Sequence, residues 1–254
     1  MDRIGIIGVG EIGRAIVDGL CDGVEEPPDI LLSPRGVRTA AELSQQYPNV
    51  QVCTDNQDVA NRSATVILAV RPQDRAEALT GLQVAADRVV LSVIAGVGIS
   101  QLRQTLATSA PMVRAIPLPA VRERRSVTVT YPSHPIADGL FDHLGGALPI
   151  ADEAAFNVFS ALTGTLTTHY WYLATLTAWA AQQGIPSEEA ERYVRSLFQG
   201  VGRSLGDGTG SRGQEEAAEI QQRAPRHSVT TDVRSPLLAE RFPRPVTQAP
   251  TAAR

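Results

Sequence analysis

The sequence predicts an α/β fold in which a doubly wound parallel sheet is followed by an all-helical region. Up to about residue 131, short apolar runs alternate with segments of helical spacing, which is typical of strands joined by crossover helices. After about residue 150 the chain is apolar and rich in Ala, Leu and Thr, without strand punctuation as far as Gly184. This change in character predicts a separate helical part.

Apolar runs mark the predicted strands, and amphipathic segments mark the helices between them. The strands are expected at residues 4–7, 29–32, 50–52, 65–70, 88–93, 112–116 and 126–131. Helices are expected at residues 14–20, 39–46, 55–61, 72–82 and 100–106. In the later part, helical sequence runs over 153–184, and a further helix starts after Ser187 as N-cap.

Three regions follow from these patterns. Residues 1–150 are predicted to form a nucleotide-binding domain, and residues 151–206 a helical domain for dimerisation and substrate binding. Residues 207–254 form a divergent tail whose last thirty residues are rich in Pro, Arg, Thr and Ser. Little in that composition can pack, so the tail is expected to be largely disordered.

Composition excludes several classes of protein. The net charge of −4 gives no reason to expect nucleic acid or a membrane surface as a partner. All 23 basic residues are arginines, so no catalytic or phosphate-binding lysine exists. No apolar run has the ~20 residues of a membrane span. Cys21 and Cys53 have no metal or redox spacing, so we expect no metal site. Two unpaired cysteines and no membrane span predict a cytoplasmic protein.

A glycine pattern follows the first predicted strand. Gly8, Gly10 and Gly13 form Gly-x-Gly-x-x-Gly between that strand and a helix, within a βαβ unit. In this context the first glycine permits a tight turn and the second lets backbone approach a diphosphate. The third glycine permits close packing of the helix, whose N-terminus faces the phosphates. The pattern predicts a Rossmann domain that binds a dinucleotide.

The end of the second strand distinguishes NADPH from NADH. An NAD-binding domain carries an acid there for the ribose 2′-hydroxyl. This chain has Ser33 and Arg35 instead, followed by Arg38. A guanidinium suits a 2′-phosphate because it makes charge-assisted bonds to the oxygens. NADP is therefore the predicted cofactor; the alternative is that both arginines are solvated surface charges.

Four short motifs and one long helical segment resemble those of a known family. They are Ile6–Gly13, Leu68–Gln73, Ser92–Val97, Val113–Pro117 and Phe156–Leu205. With them the sequence resembles the pyrroline-5-carboxylate reductase family. The resemblance implies hydride transfer from NADPH to the C=N bond of a small cyclic imine, as in proline biosynthesis. It also implies a homodimer or higher homo-oligomer.

The fingerprint and the resemblance together assign the cofactor-binding residues. They are Gly8, Val9, Gly10, Glu11, Ile12, Gly13, Ser33, Arg35, Ala69, Val70, Arg71, Pro72, Ala95 and Gly96. The resemblance places Ala69 to Pro72 beside the adenosine and nicotinamide halves, and Ala95 and Gly96 where backbone passes the nicotinamide ring.

The resemblance also suggests catalytic residues. Thr163 and Thr165 keep hydroxyls where the family has Ser-Gly-Ser-Gly-Pro near the substrate carboxylate. His169 lies near the place where the family approaches its substrate, and its imidazole can donate a proton to an imine nitrogen. The alternative for His169 is an aromatic side chain at an interface.

Other substrate segments of the family are changed. Ile116–Ala120 is one residue shorter than the family's Met-Pro-Asn-Thr-Pro-Ala and lacks Asn and Thr, and the late Gly-Gly-Thr segment has no counterpart. Two alternatives follow: an NADP-binding pseudoenzyme or sensor, and an imine or hydroxyacid reductase with another substrate. A β-hydroxyacid-dehydrogenase-like enzyme would need a lysine, which this chain lacks.

Overall fold

The computed structural model describes residues 2–207. An eight-stranded sheet has the order β3-β2-β1-β4-β5-β6-β7-β8. Its strands are β1 Ile4–Ile7, β2 Ile30–Leu32, β3 Val50–Val52, β4 Thr65–Leu68, β5 Val89–Ser92, β6 Met112–Ile116, β7 Thr128–Tyr131 and β8 Ala147–Pro149. All neighbouring strands are parallel except the antiparallel pair β6 and β7. The predicted α/β class with a doubly wound sheet is confirmed.

Nine helices lie in the part of the chain that the structure describes. They are α1 Glu11–Cys21, α2 Val37–Gln46, α3 Asn56–Arg62, α4 Arg75–Leu79, α5 Ile99–Leu106, α6 Pro135–His143, α7 Glu153–Thr163, α8 Thr165–Gln182 and α9 Ser187–Asp207. Short 3-10 turns precede α4 at Pro72–Asp74 and follow β6 at Pro119–Glu123. None of these helices is long and apolar enough to cross a membrane.

Alternation of side chains along the central strands builds a core on each face of the sheet. Ile4 and Ile6 of β1, with Ile67 of β4, belong to the apolar cluster that includes α1. Ile7 of β1 and Leu68 of β4 belong to the cluster on the other face. Because these strands are covered on both faces, their sequences are continuous apolar runs rather than alternating ones.

The chain divides into two compact units. The first ends at Thr163 and the second begins at Gly164. Helix α7 therefore belongs to the sheet-containing unit, whereas the sequence placed residues 151–206 in the helical region. The tail predicted to be disordered, residues 207–254, lies outside the described residues apart from its first position, the last residue of α9.

Several predicted elements differ from the structure. Strand β4 ends at Leu68 rather than residue 70, because the backbone of Ala69 and Val70 turns beside Gly8. The long apolar segment is two helices that meet at Gly164. Ser187 is the first residue of α9 rather than its N-cap. Helix α6 and strand β8 were not predicted.

A buried arginine ties α7 to the sheet. Arg114 on β6 is 5% exposed, and its Nη1 lies 2.7 Å from Oε1 of Glu153 in the first turn of α7. The guanidinium carbon lies 4.1 Å from the centre of the Phe156 ring. A buried guanidinium needs a charged partner and hydrogen bonds to offset the loss of water. Here Glu153 supplies the charge and Phe156 the apolar cover.

A Glu153→Ala variant should therefore lose stability. The expected loss is about 1–2 kcal/mol, less than for a fully buried pair because Glu153 is partly exposed. Urea unfolding followed by circular dichroism measures it. The control is Glu191→Ala, which removes the partner of exposed Arg195 on α9 and should cost under ~0.5 kcal/mol. Equal losses in both variants would contradict the proposed role of Glu153.

Candidate cofactor site

The site predicted from the glycines lies where the strand order reverses. β1 pairs with β2 on one side and with β4 on the other, so the chain leaves these strands in opposite directions along the sheet. In open α/β sheets a ligand binds in the crevice beyond the carboxyl ends of such strands. Gly8 follows β1 at this edge, and Ala69 follows β4.

Gly8 is packed against the backbone of the neighbouring strand. Its φ of 99° is left-handed, and a Cβ there would lie 2.7 Å from the Ala69 carbonyl group and from the Val70 nitrogen. Only glycine fits this contact. Gly8 therefore lets the loop turn in direct contact with the backbone that follows β4.

The N-terminus of α1 presents backbone groups to the crevice. Gly10 is the N-cap, makes no side-chain cap, and a Cβ built on it would meet nothing within 4 Å. The first-turn N–H groups of a helix have no acceptor within the helix, and its dipole favours an anion there. Gly13 lets α1 come close, since a Cβ there would lie 2.6 Å from the Gly8 oxygen. This arrangement fits a diphosphate.

The turn after β2 is attached to this loop. The Gly8 N–H donates a hydrogen bond of 3.0 Å to Oγ of Ser33, which is 0% exposed. Gly36 has a φ of 86°, and a Cβ there would lie 3.2 Å from the Val9 oxygen. The Ser33 hydroxyl thus holds the glycine loop in place by accepting the Gly8 hydrogen bond. Arg35 is exposed in this turn, whereas Ser33 is buried.

Arg35 lies at the carboxyl end of β2 with two carboxylates beside it. Its Nη2 is 3.1 Å from Oε2 of Glu77 and 3.5 Å from Oδ1 of Asp74. Arg38, one turn into α2, is 90% exposed and lies 3.8 Å from Glu42. Arg35 therefore has a defined position at the site, whereas Arg38 is a surface charge with a long contact.

The other predicted cofactor residues follow β4 and β5, which are adjacent and parallel. Arg71 and Pro72 are exposed, Val70 is buried, and Ala69 is half-buried. Ala95 and Gly96 are exposed three to four residues beyond β5. Parallel strands place these segments at the same edge of the sheet as Gly8. The sequence-predicted cofactor residues are thus brought to one edge of the first unit.

A cavity that the sequence interpretation missed adjoins Arg35. It has a volume of about 620 Å³ and is lined by Pro34, Arg35, Asp55, Asn56, Gln57, Glu77, Ala78, Thr80, Gly81 and Leu82. Asp55 and Asn56 follow β3, whose carboxyl end lies at the same edge. That strand-end rule is the signal that would have found them.

The predicted catalytic residues occupy α7 and α8. The Thr163 hydroxyl donates a hydrogen bond of 2.7 Å to the Ser160 oxygen in its own helix. Thr165 and His169 are four residues apart on α8, so they share one face, and both are exposed. The His169 ring meets the Phe198 ring edge to face at 5.4 Å. Thr163 ends the first unit, and the other two belong to the second.

The two cysteines are buried and not joined in a disulfide. Burial raises the pKa of the Cys21 thiol, although the Asn49 amide, which donates to its Sγ, opposes the shift. Burial also raises the pKa of Cys53 to about 11, helped by a hydrogen bond to Asp58. Both thiols are therefore protonated at neutral pH. Within the described residues, no cluster of His, Cys, Asp or Glu is arranged to hold a metal ion.

Comparison with known proteins agrees with this architecture. The domain family described as NADP oxidoreductase, coenzyme F420-dependent, matches residues 3–96. The pyrroline-5-carboxylate reductase of Corynebacterium melassecola is 27% identical over 215 residues, covering 79% of this chain and 78% of that protein.

Solved structures of the same kind share the fold. The 1-pyrroline-5-carboxylate reductase of Streptococcus pyogenes matches with a TM-score of 0.69 and 21% identity, covering 91% of this chain and 95% of that one. The Plasmodium falciparum pyrroline carboxylate reductase with NADP bound matches with a TM-score of 0.73 and 14% identity, covering 92% of this chain and 88% of that one. At 24–29% identity, this chain is thus similar in sequence to curated pyrroline-5-carboxylate reductases, and it shares the fold of solved structures of that name.

Proposed function

We propose that this chain is an NADPH-dependent reductase that transfers a hydride to the C=N bond of a small cyclic imine, of the pyrroline-5-carboxylate reductase type. One observation carries the proposal. An uncapped helix N-terminus at Gly10 lies at the point where the strand order reverses, with Gly8 against Ala69 and Arg35 at the end of β2. This edge of the sheet therefore offers backbone N–H groups for a diphosphate and a guanidinium for a 2′-phosphate.

The residues present fit the nucleotide. Backbone N–H groups from Gly10 to Gly13, including those of Glu11 and Ile12, bind the diphosphate, with Gly8 and Val9 shaping the turn. Arg35 binds the 2′-phosphate through its planar guanidinium. Ser33 acts by holding Gly8. When bound, the nicotinamide supplies the hydride, and the protein supplies its position.

The segments after β4 and β5 are assigned to the rest of the nucleotide. Ala69, Val70, Arg71 and Pro72 border its two halves. Ala95 and Gly96 border the ring, where Gly96 has a φ of 71° and a Cβ would meet nothing within 4 Å. Exposed backbone without a bulky side chain leaves room for a flat ring to lie against it.

Three side chains are assigned to the imine. Protonation of the imine nitrogen makes its carbon a better hydride acceptor, and the His169 imidazole is the proton donor. Thr165, on the same face of α8, positions the substrate through its hydroxyl. The Thr163 hydroxyl already donates a hydrogen bond to the Ser160 oxygen within α7, so towards the substrate it acts as an acceptor.

We also propose that the chain acts as a homodimer or higher homo-oligomer. Large apolar side chains are exposed on α8 and α9, among them Tyr170, Tyr193, Leu197, Val201 and Leu205. Tyr193, Leu197, Val201 and Leu205 are spaced four residues apart on α9, so they share one face, and an exposed apolar face is typical of an interface.

A second candidate is a protein that binds NADPH without turnover. Two features favour it: the short loop from Ile116, and the Thr163 hydroxyl that is used within its own helix. Both concern the substrate side and leave the cofactor side unchanged.

Oxidation of NADPH against a panel of cyclic imines, including pyrroline-5-carboxylate, separates the two candidates. The reductase should consume NADPH with at least one imine, and the preferred ring size identifies the substrate class. His169→Phe should lower kcat by about 100-fold, within the range of general acid catalysis, while the Kd for NADPH stays unchanged. Phenylalanine keeps a ring against Phe198, so loss of folding is avoided. Binding of NADPH without consumption for every imine would contradict the reductase proposal.

A further inference from the structure

Arg35 is shared between two acids that come from the segment after β4. Glu77 on α4 accepts a hydrogen bond of 3.1 Å from Arg35 Nη2, and Asp74 lies 3.5 Å from the same nitrogen. Asp74 also accepts a 2.7 Å hydrogen bond from Nε of Arg71 through its other oxygen. Asp74 thus holds two guanidinium groups side by side.

The two acids differ in how freely they can leave Arg35. The Asp74 side chain is 19% exposed and is shared by two arginines. The Glu77 side chain is 76% exposed. Release of an exposed carboxylate into water costs little, because exposed ion pairs are weak. Glu77 is therefore the partner that a ligand displaces, and Asp74 is the partner that stays.

Charge decides which ligand must displace Glu77. Arg35 and Glu77 line the same cavity, so a phosphate bound to Arg35 lies close to the Glu77 carboxylate. Two anions on one guanidinium repel each other. A ribose with a free 2′-hydroxyl brings no such charge and can donate a hydrogen bond to a carboxylate. The Arg35–Glu77 pair therefore opposes only the phosphorylated ribose.

We propose that Glu77 is a specificity-determining residue, whose carboxylate competes with the nucleotide 2′-phosphate for Arg35 and limits the preference for NADPH over NADH. This inference rests on the proposed function only in that the adenosine half of the nucleotide binds at Arg35. It does not depend on which imine is reduced, or on whether one is.

The test uses the full chain and two fragments that lack the nicotinamide, adenosine 2′,5′-bisphosphate and ADP. Calorimetric titration at low salt should show that Glu77→Gln binds the 2′,5′-bisphosphate about fivefold more tightly, while ADP affinity changes less than about twofold. The gain should shrink in high salt, because exposed charges are screened. Unchanged melting temperature is expected, since the side chain is mostly exposed.

The matched control is Asp29→Asn. Asp29 pairs with Arg3 at 3.0 Å and is exposed, but it lies before β2, at the opposite edge of the sheet from Arg35. It removes the same charge from the same unit and should change neither affinity.

Other titration results would overturn either the role of Glu77 or the proposed function. Weaker binding of the 2′,5′-bisphosphate by Glu77→Gln would overturn the inference by showing that Glu77 orients Arg35. No change, or an equal gain for both fragments, would also overturn it, since selectivity for the 2′ position would be absent. If the wild-type chain binds the 2′,5′-bisphosphate but reduces no imine, only the proposed catalysis fails. If it binds neither fragment, both proposals fail.

Discussion

A Gly10→Val variant is expected to fold normally and to lose binding of nicotinamide nucleotide, by about 100-fold or more if a diphosphate lies on this backbone. The side chain has room in the protein itself, since a Cβ at Gly10 meets nothing within 4 Å and the φ of −85° is ordinary for any residue. The ligand is what the added methyl groups would meet. Titration of NADPH, with melting temperature measured in parallel, checks the result.

Gly10 is a better probe than its neighbours in the fingerprint. A side chain at Gly8 or Gly13 would approach backbone atoms at 2.7 and 2.6 Å, so those variants disturb the fold as well as the site. Gly139→Val is the control, because Gly139 also has open space around its Cβ but lies on α6. Unchanged NADPH affinity in Gly10→Val would refute the placement of the diphosphate.

Replacement of Arg35 by aspartate should separate the two nucleotides. Charge-assisted hydrogen bonds to the 2′-phosphate are lost and replaced by repulsion, so the Kd for NADPH should rise by about 100-fold. NADH lacks the phosphate, and its Kd should change by less than about threefold. Arg35→Gln should act in the same direction with a smaller loss, which excludes crowding among three carboxylates as the cause.

The comparison for Arg35 is Arg38→Asp. Arg38 is 90% exposed, and its contact with Glu42 is long, so this variant should weaken NADPH binding much less. Fluorescence titration of both nucleotides against the three variants provides the measurement. Equal losses of NADPH and NADH in Arg35→Asp would show that Arg35 does not contact the 2′-phosphate.

The sequence was sufficient for the centre of the fold. Strands β1, β4 and β5 are buried and mostly apolar, and burial on both faces of the sheet favours such runs whatever elements cover them. Strand β8 has three residues, two of them exposed, so no apolar pattern marks it. Helix α6 begins at Pro135 after a His134 side chain that caps it, a start that the usual Ser, Thr, Asp and Asn signals do not reveal.

The glycine fingerprint could also be predicted, because Gly8 and Gly13 each meet a local steric requirement and Gly10 leaves open space at the N-terminus of α1. The burial of Ser33 could not, since it depends on a hydrogen bond from Gly8 across two strands. Likewise, the pair of Arg35 and Glu77 joins residues 42 positions apart. Sequence patterns identify which residue types arrive at the site, whereas tertiary contacts decide which of them face a ligand.

Calorimetric titration of the folded full chain with NADPH and then NADH is the most direct test of the central claim. That claim is that a dinucleotide lies across the N-terminus of α1 with its 2′-phosphate on Arg35. We predict heat from both nucleotides at one site per chain, with tighter binding of NADPH. If neither nucleotide produced heat, the claim would be contradicted. Tighter binding of NADH than of NADPH would contradict the role of Arg35.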